Sequence, residues 1–164
     1  MLFRSLEIFR QQVNPEVAPQ RAPVPDAIDR RAVDVKGYAY FMNASQVGIC
    51  RIPETAWLEG VEHPDHRYAV VLLVEHGRVP EADNPACEWV KPAVIEAGDM
   101  RAGEVAVCVA RHIAKLGFSS RAHISGNGLL DMERLAVLAG IAVRDAGSLR
   151  NPYIDGGFSL AVIL

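Results

Sequence analysis

The chain has 164 residues, of which 50% are apolar and 23% charged, a globular composition long enough for one packed core and too short for two ordinary domains. A formal charge of −3 and a pI near 5.9 leave no basic field to attract phosphate backbones or anionic lipid, which argues against nucleic acid and membrane partners. Cys50, Cys87 and Cys108 form no Cys-x-x-Cys pair, so they read as reduced thiols of a cytoplasmic protein that holds no iron-sulfur or zinc cluster of its own.

Leu2, Phe3, Leu6, Ile8 and Phe9 open the chain as a short amphipathic stretch, too charged for a secretory leader. Pro15, Pro19, Pro23 and Pro25 then exclude helix. Residues 1–25 are therefore expected to be an extended N-terminal arm, and residues 26–164 a single α/β domain. Asp26 is placed to cap a helix carried by Ile28, Val33, Val35, Tyr38 and Phe41 or Met42, with Gly37 weakening it. A short strand follows at 45–52, closed by Pro53. The clearest strand is Tyr68–Glu75: its unbroken core from Ala69 to Val74 implies burial on both faces, so helices must cover both.

After a polar loop at 77–84, a helix at 87–97 is expected to break at Pro92. The strongest helix spans 100–116, with Val105, Cys108, Val109, His112, Ile113 and Leu116 on one stripe and Gly117 at its C-terminal cap. A strand at 118–125, a helix at 132–142, a glycine-rich loop at 147–157 and a strand at 158–164 complete the pattern. The alternation predicts an α/β or α+β sandwich, a mixed sheet flanked by helices. The closing strand ends on apolar residues, where a terminal carboxylate would be desolvated, so the chain is expected to be a piece of a longer one, cut at a domain boundary.

Few motifs carry chemistry. The pair His63-Pro-Asp-His66 is kept off a helix by its proline and has no third ligand nearby, so it reads as a polar turn and no metal is expected. His112 reads as a hydrogen-bonded core residue. The turn Ser125-Gly-Asn-Gly128 could offer amides to an anionic group, yet it has neither the three-glycine dinucleotide spacing nor the lysine of a nucleoside-triphosphate loop. Ala146-Gly-Ser148 has no nucleophile-elbow pattern around it, and no catalytic residue can be nominated. In the loop at 147–157 the glycines allow close approach of a ligand or of another chain segment, with Arg150, Asn151 and Tyr153 best placed to touch it.

Three segments follow one another in a recognisable order: Leu116-Gly-Phe-Ser-Ser-Arg121, Arg134-Leu-Ala-Val-Leu-Ala-Gly140-Ile-Ala142, and Arg150-Asn-Pro-Tyr-Ile-Asp-Gly156-Gly-Phe-Ser-Leu160. Together they resemble the cobalamin-dependent reductive dehalogenases and, more distantly, the epoxyqueuosine reductases. The resemblance implies a nitroreductase-like fold. It departs where the family's Ala-Gly-Leu-Gly becomes Ala139-Gly-Ile-Ala142, and where iron-sulfur cysteine runs and the tyrosine acid with its basic partner have no counterpart. It therefore implies a non-catalytic, degenerate first copy of the cobalamin fold, packed on a downstream catalytic domain of the same polypeptide. That parent would use cobalamin and two 4Fe-4S clusters, none ligated by this segment, to remove halide from an organic, aromatic substrate. Two alternatives stand beside it. One is a stand-alone cobalamin- or flavin-binding chaperone or reductase, in which Arg121, His123, Asn127 and Asn151 contact the cofactor's side groups. The other is a structural subunit of a multiprotein complex that exposes the stripe at residues 2–9, and a homo-oligomer is left open.

Overall fold

A run of six apolar residues can be buried on both sides only inside a sheet that carries a layer on each face. That is the centre of the computed structural model, which describes residues 2–60 and 64–164, residues 2–5 by backbone alone. Strand β2 (Tyr68–Glu75) lies between β1 (Gln46–Arg51) and β6 (Phe158–Ile163), and β3 (Ala122–His123) pairs with the far side of β6. Every pairing is antiparallel. The register sets Leu72 between Val47 and Ala161, and Val71 between Gly48 and Val162. Alternate residues then feed two cores. Leu72, Val74, Ala161 and Ile163 face one layer, while Val71, Leu73, Val162 and Leu164 face the other. The α/β fold with helices flanking the sheet is thus the observed one, and the sheet expected to be mixed is antiparallel throughout.

The first layer is organised by α3 (Cys87–Lys115), one continuous helix of 29 residues. The expected break at Pro92 does not occur. Proline there removes only the bond to the Glu88 carbonyl in the second turn, and the burial of Ala102, Val105, Ala106, Val107, Val109, Ala110 and Ala114 further along outweighs that loss. Consecutive buried positions also replace the single stripe expected, because α3 is covered by the sheet on one side and by α1 (Leu2–Arg10) and α2 (Ile28–Phe41) on others. Asp26 does not cap α2 with its side chain; its carbonyl accepts from the Arg31 guanidinium instead.

Residues 2–10 of the segment read as an extended arm are helical, and α1 packs on α3 with Leu6 against Gly103. The proline-bearing remainder does run extended, tied down by Ala18 N–H donating to the Ala114 carbonyl (2.9 Å) and Ala22 N–H to that of Leu116 (3.0 Å). Gly117 ends α3 at φ +85°, and a Cβ there would lie 2.6 Å from the Gln20 carbonyl oxygen, so this glycine both caps the helix and admits the arm.

The second layer is α4 (Met132–Leu138), started by Asp131, whose carboxylate accepts from Arg134 N–H at 2.9 Å. It stops at Gly140 (φ +72°), short of the expected residue 142. The loop expected at 147–157 begins inside a hairpin of β4 (Val143–Asp145) and β5 (Ser148–Arg150), whose turn residues Ala146 and Gly147 both have positive φ, as a two-residue hairpin turn requires. The strand expected over 118–125 shortens to β3, since only its middle meets β6.

Candidate functional site

Where β2 ends, the chain turns past His76, and the imidazole is held between two glycines. A Cβ on Gly98 of α3 would lie 2.7 Å from Nε2, and one on Gly157, just before β6, 2.6 Å from Nδ1. No other residue fits either position without moving the ring. Ser159 has a single proton, and the Asp99 carboxylate can only accept, so Ser159 Oγ–H donates to Asp99 Oδ1 (2.5 Å). His76 Nε2–H in turn donates to Ser159 Oγ (2.9 Å). Burial lowers the His76 pKa, and the Asp99 carboxylate works against that shift. The chain lies at the wall of a groove of about 1230 Å³ bordered by Arg78, Lys91, Asp99, Gly126, Glu133 and Asp155. With serine in the middle and its proton committed to aspartate, this is not the order of a nucleophile, a base and an orienting acid. It is a brace joining β2, α3 and β6.

The residues singled out from the sequence fall at two edges of the sheet. His123 is fully buried on β3, with Nδ1 accepting from Leu129 N–H at 3.3 Å. Burial first, then the positive charges of Arg121 and His66, lower its pKa to about 4. Arg121 precedes it and pairs by backbone with Leu164, and Asn127 follows in the turn after β3. Asn151 lies beyond the opposite edge strand, β1, three strand spacings or about 14 Å across the sheet. These four side chains therefore stand at two opposite edges of the sheet and not around one point. Asn151 is buried, and its Nδ2 donates to Gln46 Oε1 (2.8 Å) and to the Ile141 carbonyl (2.6 Å), while its Oδ1 accepts from Tyr153 N–H (2.8 Å). Asn151→Leu is expected to cost about 2 kcal/mol, because the Ile141 carbonyl and Gln46 lose their partner inside the fold. A lowered urea midpoint with an unchanged m value checks this.

The turn Ser125-Gly-Asn-Gly128 holds a side chain of its own protein. Arg10 at the end of α1 donates from Nε (3.2 Å) and Nη2 (2.9 Å) to the Ser125 carbonyl, and Gly126, at φ +74°, makes room for the guanidinium. His112 stacks on Tyr38, with ring centroids 4.2 Å apart and 14° between planes, beside an apolar cavity of about 200 Å³. Of the paired histidines, His66 Nε2 lies 3.2 Å from Ser119 Oγ, whereas His63 is outside the described residues. Among the described residues, no three His, Cys, Asp or Glu side chains gather as a metal site. Burial raises the Cys50 and Cys108 thiols, with Glu104 adding to the rise at Cys108 and Arg111 opposing it, so neither is an activated thiolate. Among the described residues no helix is long and apolar enough to cross a membrane.

Arg10, His76, Asp99 and Ser159 were not visible as a group in the sequence: Arg10 and Ser125 are 115 residues apart, and His76 and Ser159 83. The available signal was the glycines at 98, 126 and 157, each standing against a side chain of the same chain.

A sheet of four antiparallel strands, a long buried helix on one face and a short helix with a hairpin on the other is the architecture of a domain within the reductive dehalogenase structures. No protein-family model matches the chain, and no curated protein matches it. Among solved structures it is similar to a reductive dehalogenase for which a mechanism of B12-dependent dehalogenation has been suggested, with 36% identity and a TM-score of 0.88 over 99% of this chain. The catabolic reductive dehalogenase NpRdhA in complex with 3-bromo-4-hydroxybenzoic acid matches at the same identity, coverage and TM-score, and its N-terminally tagged form at 35%. The chain spans 23% of the length of each of these proteins.

Proposed function

We propose that this chain is the N-terminal, non-catalytic domain of a cytoplasmic reductive dehalogenase, a degenerate copy of a nitroreductase-like cobalamin fold. The rest of that protein would remove halide from an aromatic substrate with cobalamin and two iron-sulfur clusters. What carries the reading is the match over 99% of this chain to 23% of a B12-dependent dehalogenase. The placement of the polar groups supports a scaffold. His76, Ser159 and Asp99 brace three elements, Asn151 clamps the hairpin end to β1, and Arg10 fills the glycine turn that a ligand would need. Each is engaged in holding the fold. Of the side chains that a stand-alone binder would use, Asn151 is bonded to Gln46, Ile141 and Tyr153, and His123 Nδ1 accepts from Leu129 N–H.

The partner in this reading is the catalytic portion of the same polypeptide. Val33 and Phe41 are 67% and 78% exposed, eight residues apart on one face of α2 with Gly37 between them, an apolar strip of the kind a packed neighbour covers. Incubated with hydroxocobalamin and passed through a desalting column, the protein is expected to emerge colourless. Retention of one corrinoid per chain with a shifted visible spectrum would overturn the scaffold and favour the stand-alone binder.

A further inference from the structure

On the α4 face of the sheet, close to the Leu164 end of the last strand, three side-chain nitrogens are buried without a hydrogen-bond partner among the described residues: His66 Nδ1, Arg121 Nε and His123 Nε2. Chain alternation brings them together. Ser120 donates to the Ala110 carbonyl and Ala122 joins the α3 core, so 119, 121 and 123 turn the other way. Ser119 there holds His66 through Nε2 at 3.2 Å. A buried polar nitrogen left without a partner is costly, and native folds rarely leave three in one place.

The hydrogen inventory says what is missing. Leu129 N–H donates to His123 Nδ1, so that nitrogen carries the lone pair and the proton of the neutral ring sits on Nε2. Arg121 Nε–H is a donor under all conditions. Two fixed donors are therefore buried without an acceptor among the described residues, in residues close enough to interact by charge, and the guanidinium forms no ion pair among the described residues. Water could accept from both, but its own two protons would then need two further acceptors in the same buried place. A monatomic anion needs none and balances the guanidinium charge.

We propose that Arg121, His123 and His66 form a buried halide site beneath residues 119–123, holding one chloride or bromide ion per chain. The site stands on these donors alone and does not depend on the assignment to a dehalogenase. Its occupant accepts from Arg121 Nε–H and His123 Nε2–H, with His66 closing the side next to Ser119.

Crystals of the intact protein grown or soaked in sodium bromide test it directly by anomalous scattering at the bromine edge. The expected result is an anomalous peak within hydrogen-bond distance of Arg121 Nε and His123 Nε2. In solution, thermal denaturation in sodium bromide or chloride should show a saturable rise in Tm that sodium gluconate of equal ionic strength does not give. Arg121→Met, which keeps the bulk and removes the donors, should weaken the apparent halide affinity about tenfold or more, the loss of one charge-assisted hydrogen bond. Should that variant not fold, the wild-type anomalous map decides alone. Density at the site without anomalous signal, bromide confined to surface side chains as an adventitious ion only, or an unchanged halide response in Arg121→Met would each overturn the proposal.

Discussion

Gly98→Ala is expected to destabilise the protein by about 3 kcal/mol, although alanine is the better helix former by about 1 kcal/mol. Gly98 lies in the interior of α3 and has no positive φ to accommodate, so propensity alone predicts a gain. The opposite sign follows from His76. The new methyl would sit 2.7 Å from Nε2 and 3.0 Å from Ser159 Oγ, so the half-buried ring must shift out toward the groove it borders. Overpacking of this kind costs about 1–3 kcal/mol, and expelling the imidazole also breaks its bond to Ser159, worth about 1 kcal/mol. The control is a double-mutant cycle by urea denaturation. In a His76→Ala background the ring is gone and only the 3.0 Å approach to Ser159 Oγ remains, so Gly98→Ala should be close to neutral, a coupling near about 3 kcal/mol. If the two substitutions are simply additive, Gly98 is not part of the cradle of His76.

The elements that could be read from the sequence are those whose burial is local and continuous. Residues 69–74 declare a strand buried on both faces because no polar residue interrupts them, and residues 160–163 of β6 do the same. The centre of α3 is legible for its length. Pro92 misled because a proline rule is local, whereas the helix is held by alanines and valines ten to twenty residues further on. The hairpin β4–β5 was hidden for the reverse reason: Val143, Arg144 and Asp145 are all exposed, and its turn is Ala-Gly rather than Asn-Gly. α1 has nine residues, fewer than an isolated helix needs, and exists because α3 offers it a surface.

The polar groups followed the same logic. Asn151 and His123 could be singled out as unusual, but not what they bind, because their partners Gln46, Ile141 and Leu129 come together only when the sheet closes. Arg10 carried no signal at all until Gly126 was seen beneath it. A glycine in a sequence marks a close approach; only the fold says whether the visitor is a ligand or another residue of the chain. Here the visitors at 98, 126 and 157 are His76 and Arg10.

Acidification should remove about 3 kcal/mol of stability through His123. In the unfolded chain its imidazole takes up a proton near pH 6.5, whereas in the fold burial and the neighbouring positive charges hold it back to about 4. Between those values the unfolded state binds more protons. The contribution is therefore complete above pH 6.5 and is lost progressively as the pH falls toward 4, two and a half units at about 1.4 kcal/mol each. His76, whose pKa is also lowered by burial, pushes in the same direction, so the decisive quantity is the difference between wild type and His123→Leu. In halide-free buffer, urea denaturation from pH 7.5 down to 4.5 should give a visibly shallower slope for the variant, whatever its absolute stability. Equal slopes would mean that His123 does not titrate as its surroundings dictate. Bromide should narrow the window for wild type alone, since an anion against Nε2–H favours the imidazolium and raises the folded-state pKa toward its ordinary value. That salt dependence is what separates a ring that is merely buried from one whose unpaired donor waits for an acceptor.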